Sequence, residues 1–221
     1  LTPERTHFIM RIYAAADLHG KQRYISTIEE GIQKSRADAV VLAGDVLNYR
    51  GGRSLLPFLN DLPIPVFLVR GNSDPVYLER WAVGRRNVRS LHLTPVVFNG
   101  VELVGVSGTL PLPFHSRAGW HEPRTLRQLA PLLHSRSILV AHPPPYGCCD
   151  QVLGRFHAGS RGITRLVRET RPAVMICGHI HEASGLGRIG ATRVVNCALG
   201  ADRRGAMVII GDGGTVEADM L

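Results

Sequence analysis

Apolar positions along this chain fall into short runs, and the runs alternate with stretches of helical spacing. Residues 9–16, IMRIYAAA, form one such run and end at DLHGK, which predicts a buried strand. Tyr24, Ile25, Ile28 and Ile32 recur on one helical face, so 21–36 is an expected amphipathic helix. DAVVLAG at 38–44 predicts the next strand, 53–60 a short helix, PVFLV at 65–69 a third strand, and 75–83 a helical stretch. Strands alternating with helices call for a parallel sheet whose two faces are covered by the crossovers.

The pattern changes at 96–108, VVFNGVELVGVSG, where Asn-Gly between apolar flanks predicts a β-hairpin. Residues 124–134 have helical spacing through Leu126, Leu129 and Leu133, interrupted by Pro131. SILVAH at 137–142 is a further buried strand with a histidine at its exit. Ser160 is placed to cap a helix whose apolar face is Ile163, Leu166 and Val167. AVMICGHIHEA repeats the strand-to-histidine theme, and TRVVNCAL and AMVIIGDGGTVEA read as short antiparallel strands between glycine turns. The hairpin and these last strands predict a second sheet packed on the first, within a single α/β domain over residues 1–221.

Composition narrows the class. An apolar fraction of 44% and a charged fraction of 20% over 221 residues describe an ordinary globular chain. No run of eighteen apolar residues predicts a membrane span, and LTPERTHFIMRI lacks the pattern of a secretion signal, so a cytoplasmic protein is expected. Cys148, Cys149, Cys177 and Cys197 match no zinc site or disulfide framework; reduced thiols are the simplest reading, with a bridge from Cys148 or Cys149 to a distant cysteine left open. The formal charge of +8 favours anionic partners, such as small phosphorylated compounds. It allows nucleic acid as well, though no zinc finger or aromatic-basic motif points to it. The sequence leaves the oligomeric state open.

The chemistry lies at the strand exits. They carry Asp17 and His19, Asp45, Asn72 with Asp74, His142, and His179 with His181. In an α/β sheet the carboxyl ends of the strands share one edge, where ligand sites form. One histidine or aspartate there is more often a hydrogen-bonded core or turn residue, and Asn72 alone would bond its own loop. Five such exits in series, all carboxylate, imidazole or amide, instead suit divalent cations of intermediate hardness. In DLH and HIH, ligands one residue apart can face the same side of an extended strand end. Asp45 suits a bridging position, and Asn72 adds a neutral oxygen. Two divalent ions less the charges of Asp17 and Asp45 leave a surplus of positive charge for a phosphoryl group, and such an ion pair serves in-line displacement. That chemistry needs no Walker loop, and none is present.

The segments DLH at 17–19, GDV at 44–46, GNSD at 71–74, AHPP at 141–144 and GHIH at 178–181 together resemble the calcineurin-like metallophosphoesterase family, in the family's order and across most of the chain. HPPPYGCCD and FHAGSRGITRLVRETRPAVMICGHIHEA are more locally similar to its compact, brain-expressed metallophosphoesterase-domain branch. The resemblance implies a four-layer α/β/β/α sandwich with two mixed sheets and a dinuclear centre. On that pattern Asp17, His19 and His181 bind one metal, Asn72, His142 and His179 bind a second, and Asp45 bridges them. A hydroxide held between the metals would attack phosphorus, with Asp45, Asn72 and His142 central to catalysis. The ions implied are Mn2+ or Fe2+, with Zn2+, Mg2+, Ni2+ and Co2+ as further choices.

Ser73 departs from the pattern, since many hydrolytic members carry histidine there to protonate the leaving oxygen. A missing proton donor removes roughly 10²–10⁴-fold of rate. Ser73, His157 and Ser160 are the candidate phosphate contacts, although loop and cap roles suit the last two equally. Asp74 is expected to anchor the turn or orient a ligand. Glu182 either steadies the final histidine or is simply exposed. Arg50, Arg70 and Arg161 are weaker candidates, and His115 and His121 read as loop residues. A phosphoesterase acting on small substrates is the first reading; a nuclease and a non-catalytic metal-binding scaffold are the alternatives.

Overall fold

The computed structural model describes residues 9–49, 51–108 and 122–221. Arg50, His115 and His121, named above, lie outside them.

Strand β1 (Met10–Ala15) shows how the sequence builds two cores at once. Met10, Ile12, Ala14 and Ala16 face inward between two sheets, while Tyr13 and Ala15 face helix α1 (Tyr24–Ser35). The same parity runs through β2 (Ala39–Ala43) and β3 (Val66–Val69): Val41 and Phe67 enter the central core, Val40 and Leu68 the outer one. Strands buried on both faces read as continuous apolar runs, which is why their sequences lack alternation. Helices α2 (Leu55–Asp61) and α3 (Tyr77–Ala82) complete that outer layer.

Strands β1, β2, β3 and β4 (Val88–Ser90) pair in parallel, and β13 (Ala206–Ile210) with β14 (Val216–Met220) extend the same sheet antiparallel beyond β1. The second sheet has the order β11 (Gly185–Ile189), β12 (Thr192–Asn196), β10 (Val174–Cys177), β7 (Ile138–Ala141), β6 (Val101–Val106), β5 (Val96–Phe98). Helices α4 (Glu122–Leu129) and α5 (Arg161–Thr170) cover its outer face, where Leu129, Ile163, Leu166 and Met175 form the third core. The result is the expected four-layer α/β/β/α sandwich with two mixed sheets.

Two expectations shift. The C-terminal hairpin β13–β14 joins the first sheet, not the second, because β1 offers it an open edge over all five residues of β13. The five ligand-bearing exits therefore come from both sheets: β1, β2 and β3 from one, β7 and β10 from the other. The Asn99-Gly100 turn between β5 and β6 has positive φ at both residues, 48° and 75°, the form that matches strand twist in a two-residue hairpin. Ser160 caps α5 by accepting the Ile163 N–H at 2.9 Å, and Pro131 falls in a short 3-10 turn, Ala130–Leu132, after α4. Short β4, β11 and the two-residue pair β8 (Gln151–Val152) and β9 (Phe156–His157) carry too few apolar residues to announce themselves.

The sheets are tied together at their carboxyl edge. Ala16 donates to the Cys197 carbonyl at 3.2 Å and accepts from Leu199 at 3.0 Å, while Gly108 donates to the Arg70 carbonyl at 2.8 Å. These bonds bring exits from different sheets to one seam.

Helix α1 depends on a missing side chain. A Cβ at Gly31 would stand 2.2 Å from Tyr13 Cε2, and Tyr13 cannot swing away because its hydroxyl donates to the Arg204 carbonyl at 2.8 Å. Gly31→Ala gains about 1 kcal/mol of helix propensity but meets an overpacking cost of about 1–3 kcal/mol. A net loss of stability is expected in urea unfolding, and a more stable variant would contradict this packing.

Candidate metal centre

All seven predicted ligands meet at the seam. Asp17 and His19 follow β1, Asp45 follows β2, Asn72 follows β3, His142 follows β7, and His179 and His181 follow β10. Donor atoms of Asp17, His19 and His181 lie within 4.8 Å of one another, and so do those of Asp17, Asp45 and His142. Asp17 is common to both triples. Asp45 Oδ2 in turn lies 3.7 Å from His19 Nδ1 and 3.5 Å from His142 Nε2, so Asp45 also spans the two groups.

Backbone geometry makes the convergence possible. Asp17, His19, Asp45 and His179 have φ values of 64°, 49°, 51° and 71°, a left-handed conformation that side-chain-bearing residues rarely adopt. Such strain persists only where surrounding structure over-determines it, and it gathers at functional sites. Glycine precedes Asp45 and Asn72 for a separate reason. A Cβ at Gly44 would lie 2.5 Å from the His142 ring, and one at Gly71 would lie 2.1 Å from Asp45 Oδ1. Each glycine clears room for a ligand arriving from a neighbouring strand.

Three polar atoms converge on His142 Nε2: Asn72 Oδ1 at 3.1 Å, His179 Nδ1 at 3.2 Å and Asp45 Oδ2 at 3.5 Å. The other ring nitrogen, Nδ1, donates to the Ala43 carbonyl at 2.8 Å, which fixes the tautomer and aims Nε2 at the cluster. On the opposite side, Asp17 Oδ2 accepts the His179 N–H at 2.9 Å. Asp17 Oδ1 is buried and accepts no hydrogen bond, although His181 Nε2 stands 3.1 Å away and His19 Nε2 3.8 Å. A buried, unbonded carboxylate oxygen faced by two imidazole nitrogens fits a divalent cation held among them.

The electrostatics agree. Burial works to raise Asp17 and Asp45, yet the facing imidazoles and the N–H groups of His179 and Ser73 hold both carboxyls below their usual range. Burial likewise works against charge on His142, but its contacts with Asp45 push it up to about 9. Burial and the neighbouring His142 push His179 down to about 4. A cation at His142 Nε2 and a proton there exclude each other, so metal uptake and protonation of this ring compete.

Asp74 and Ser73 support these ligands. Asp74 accepts the N–H groups of Val46 at 3.1 Å, Leu47 at 2.6 Å and Gly71 at 2.9 Å, clamping the turns that carry Asp45 and Asn72. Burial raises its carboxyl to about 6 against the pull of those donors. Ser73 donates its N–H to Asp45 Oδ1 at 2.8 Å, while its hydroxyl contacts the Leu47 carbonyl at 3.2 Å and His19 Nδ1 at 3.3 Å. The candidate phosphate contact is therefore engaged with the protein. Tyr49 donates its hydroxyl to the Asn72 carbonyl.

The remaining candidates separate. His157 Nδ1 faces Asp150 Oδ1 at 2.7 Å, which leaves its Nε2 unclaimed among the described residues. Ser160 is spent on its helix cap and on Glu122 Oε1, at 2.6 Å. Glu182 accepts the Leu153 N–H at 2.7 Å, so it fastens the β8 turn and not the His181 ring. Arg70 pairs with Glu79 at 3.1 Å. All four cysteines are free, and Cys148 and Cys149 have sulfurs 4.0 Å apart.

Two supporting residues were not among the candidates read from the sequence. Asp150 is buried completely and also accepts from Gly147 and Gly159, holding the His157 loop. Asn196 donates to the carbonyls of Ile180 and Cys149, at 2.9 and 3.1 Å, and so steadies the HIH turn. A polar residue ending the apolar run TRVVN was the available hint.

Removing the Asp74 clamp tests the assembly. Asp74→Ala leaves three buried N–H groups without their acceptor, at about 1–3 kcal/mol each. Urea unfolding is expected to show a loss of roughly 3 kcal/mol or more, with a smaller loss for Asp74→Asn, which keeps one acceptor oxygen. Equal stability of Asp74→Ala and the parent would refute the clamp.

The model for calcineurin-like phosphoesterases matches residues 10–183. The uncharacterized protein MJ1162 of Methanocaldococcus jannaschii is 27% identical over 198 residues, covering 85% of this chain and 87% of its own. Among solved structures, TT1561 of Thermus thermophilus superposes with a TM-score of 0.71 at 18% identity, covering 96% of this chain and 99% of its own. A dimetal phosphatase from Danio rerio superposes with a TM-score of 0.63 at 13% identity, covering 96% and 98%.

Proposed function

Because the chain belongs to the calcineurin-like phosphoesterase family and is a metal-dependent phosphoesterase, we propose that it hydrolyses a phosphomonoester or phosphodiester of a small compound or nucleotide at a pair of divalent ions. The observation that carries this reading is the pair of donor triples joined at Asp17, with Asp45 spanning both. Asp17, His19 and His181 would hold one ion, and Asn72, His142 and His179 the other, with Asp45 between them. Bound there, Mn2+ or Fe2+, or alternatively Zn2+, Mg2+, Ni2+ or Co2+, would polarise the phosphoryl oxygens and generate the nucleophile from water. The likeness to a dimetal phosphatase supports two ions over one.

The chain's own residues do the positioning. The Ala43 carbonyl and the Ser73 N–H hold His142 and Asp45 in place, and the His179 N–H does the same for Asp17. His157, anchored by buried Asp150, would offer its Nε2 to phosphate. The formal charge of +8 draws anionic substrates toward the surface. Free thiols at all four cysteines support a reducing, cytoplasmic setting.

Reconstitution of stripped protein with each ion in turn, followed by turnover of an aryl phosphodiester, tests the centre. Asp45→Asn and His142→Ala are each expected to lose at least about 100-fold; unchanged turnover in both would sink the proposal. Leaving-group dependence tests the role of Ser73. Its hydroxyl is engaged elsewhere and is a poor acid. Esters of acidic phenols should be turned over at least about 10²-fold faster than alkyl esters, and Ser73→His should narrow that gap. A gap that is absent in the parent, or unmoved by Ser73→His, would show that protonation at this position does not limit the rate.

A further inference from the structure

Helix α5 carries Arg161, Arg165 and Arg168 at spacings of four and three residues, which sets them along one face. Strand β11 adds Arg188 to the lining, and the segment after β7 adds Tyr146, four residues beyond His142. Together they line a concavity of about 840 Å³ outside the metal ligands. All four guanidinium-bearing residues are exposed, and Glu169 is the one carboxylate on the described lining. Among the described residues, no ion pair joins Glu169 to any of the four arginines. Four positive charges set against one carboxylate leave an excess that focuses a field favouring anions.

The chemistry of the lining says which anion. Guanidinium forks match phosphoryl oxygens two at a time. Arg161 lies over the Tyr146 ring, 3.8 Å from its centroid, which holds the fork flat while its edge N–H groups stay available. Seven residues of helical rise separate Arg161 from Arg168 by ~10 Å along the axis. A series of phosphates can meet guanidiniums spread along that length, whereas a lone orthophosphate can pair with only some of them.

We propose that this groove binds a chain of consecutive phosphoryl groups, as found in polyphosphate or in the backbone of single-stranded nucleic acid. Binding here stands apart from turnover at the metal centre and is measured separately from it.

Titrating the full metal-loaded chain with tripolyphosphate, orthophosphate and a hydrolysis-resistant phosphorothioate oligothymidylate tests the site. Arg165→Gln combined with Arg188→Gln removes two charges from the groove. Arg85→Gln combined with Arg86→Gln removes two exposed charges elsewhere, and thermal melting confirms that both variants fold. The groove variant is expected to bind the phosphate chain at least about 10-fold more weakly, while the other variant stays within about twofold of the parent. For the oligonucleotide, the slope of log K against log salt should shallow by about 1.4, at ~0.7 for each lost contact. Binding of tripolyphosphate alone assigns the groove to polyphosphate, and binding of the oligothymidylate assigns it to nucleic acid. Equal weakening in both variants, no weakening in the groove variant, failure of both chains to bind, or orthophosphate binding as tight as tripolyphosphate would overturn the proposal.

Discussion

Two carboxylates sit almost fully buried at the seam between the sheets, Asp17 at 1% exposure and Asp45 at 2%. Taking an ion of that size out of water costs several kcal/mol unless opposite charge and hydrogen bonds meet it. The surroundings answer that cost in layers. N–H groups of His179 and Ser73 bond one oxygen of each carboxylate, and imidazoles face the other. The seam is thus built around negative charge and stays poised for a cation. Its neighbours follow from that requirement, from the unbonded oxygen of Asp17 to the raised His142.

Assembling such a cluster sets demands on the backbone. Five strands in two sheets must end at one place, and each must turn sharply enough to aim a side chain back over the edge. Four ligands accept left-handed φ values to do so, a local cost of order 1–3 kcal/mol each. The two apolar faces of each sheet make that tolerable, because Val41, Phe67, Val140 and Ile176 lock the strands rigidly just beneath the turns. Asp74 transmits the rigidity upward by tying three loop N–H groups to one side chain. Strain at the site and close packing below it are two parts of one arrangement.

Much of this was legible because the informative residues sit at ends. A doubly buried strand gives a continuous apolar run, and a polar residue at its close stands out, so Asp17, Asp45, Asn72, His142 and His179 could be picked from the pattern. Helix α1 and the Asn-Gly hairpin were equally plain. What stayed hidden depended on partners distant in sequence. The pairing of β13 with β1 spans almost the whole chain, and nothing local separates it from membership of the other sheet. The inward turn of the Ser73 hydroxyl depends on the Leu47 carbonyl and His19, which only the fold brings near. Asp150 looked like one more loop aspartate until its burial and its bond to His157 were visible. The arginine groove combines α5 with β11, so its scattered residues formed no motif.

The cluster is also asymmetric, and the asymmetry bears on access. His142 is wholly buried, whereas His19 is 27% exposed and His181 45%. His19 and His181 therefore define the open side, above buried Asp17, and water, metal ions and a phosphoryl group can enter there. His142 and Asp45 form the closed floor, where low dielectric strengthens every charge interaction. The Arg203 guanidinium donates to the His181 carbonyl and the Asn196 amide to that of Ile180, so the open side is held by side-chain bonds to its carbonyls, not by burial. An ion on the floor would meet a preset cage, while one at the mouth would rely on a turn kept in register by its carbonyls. Exchange is thereby expected to be easier at the His19–His181 side than at the His142 side, a difference that follows from where the seam meets solvent.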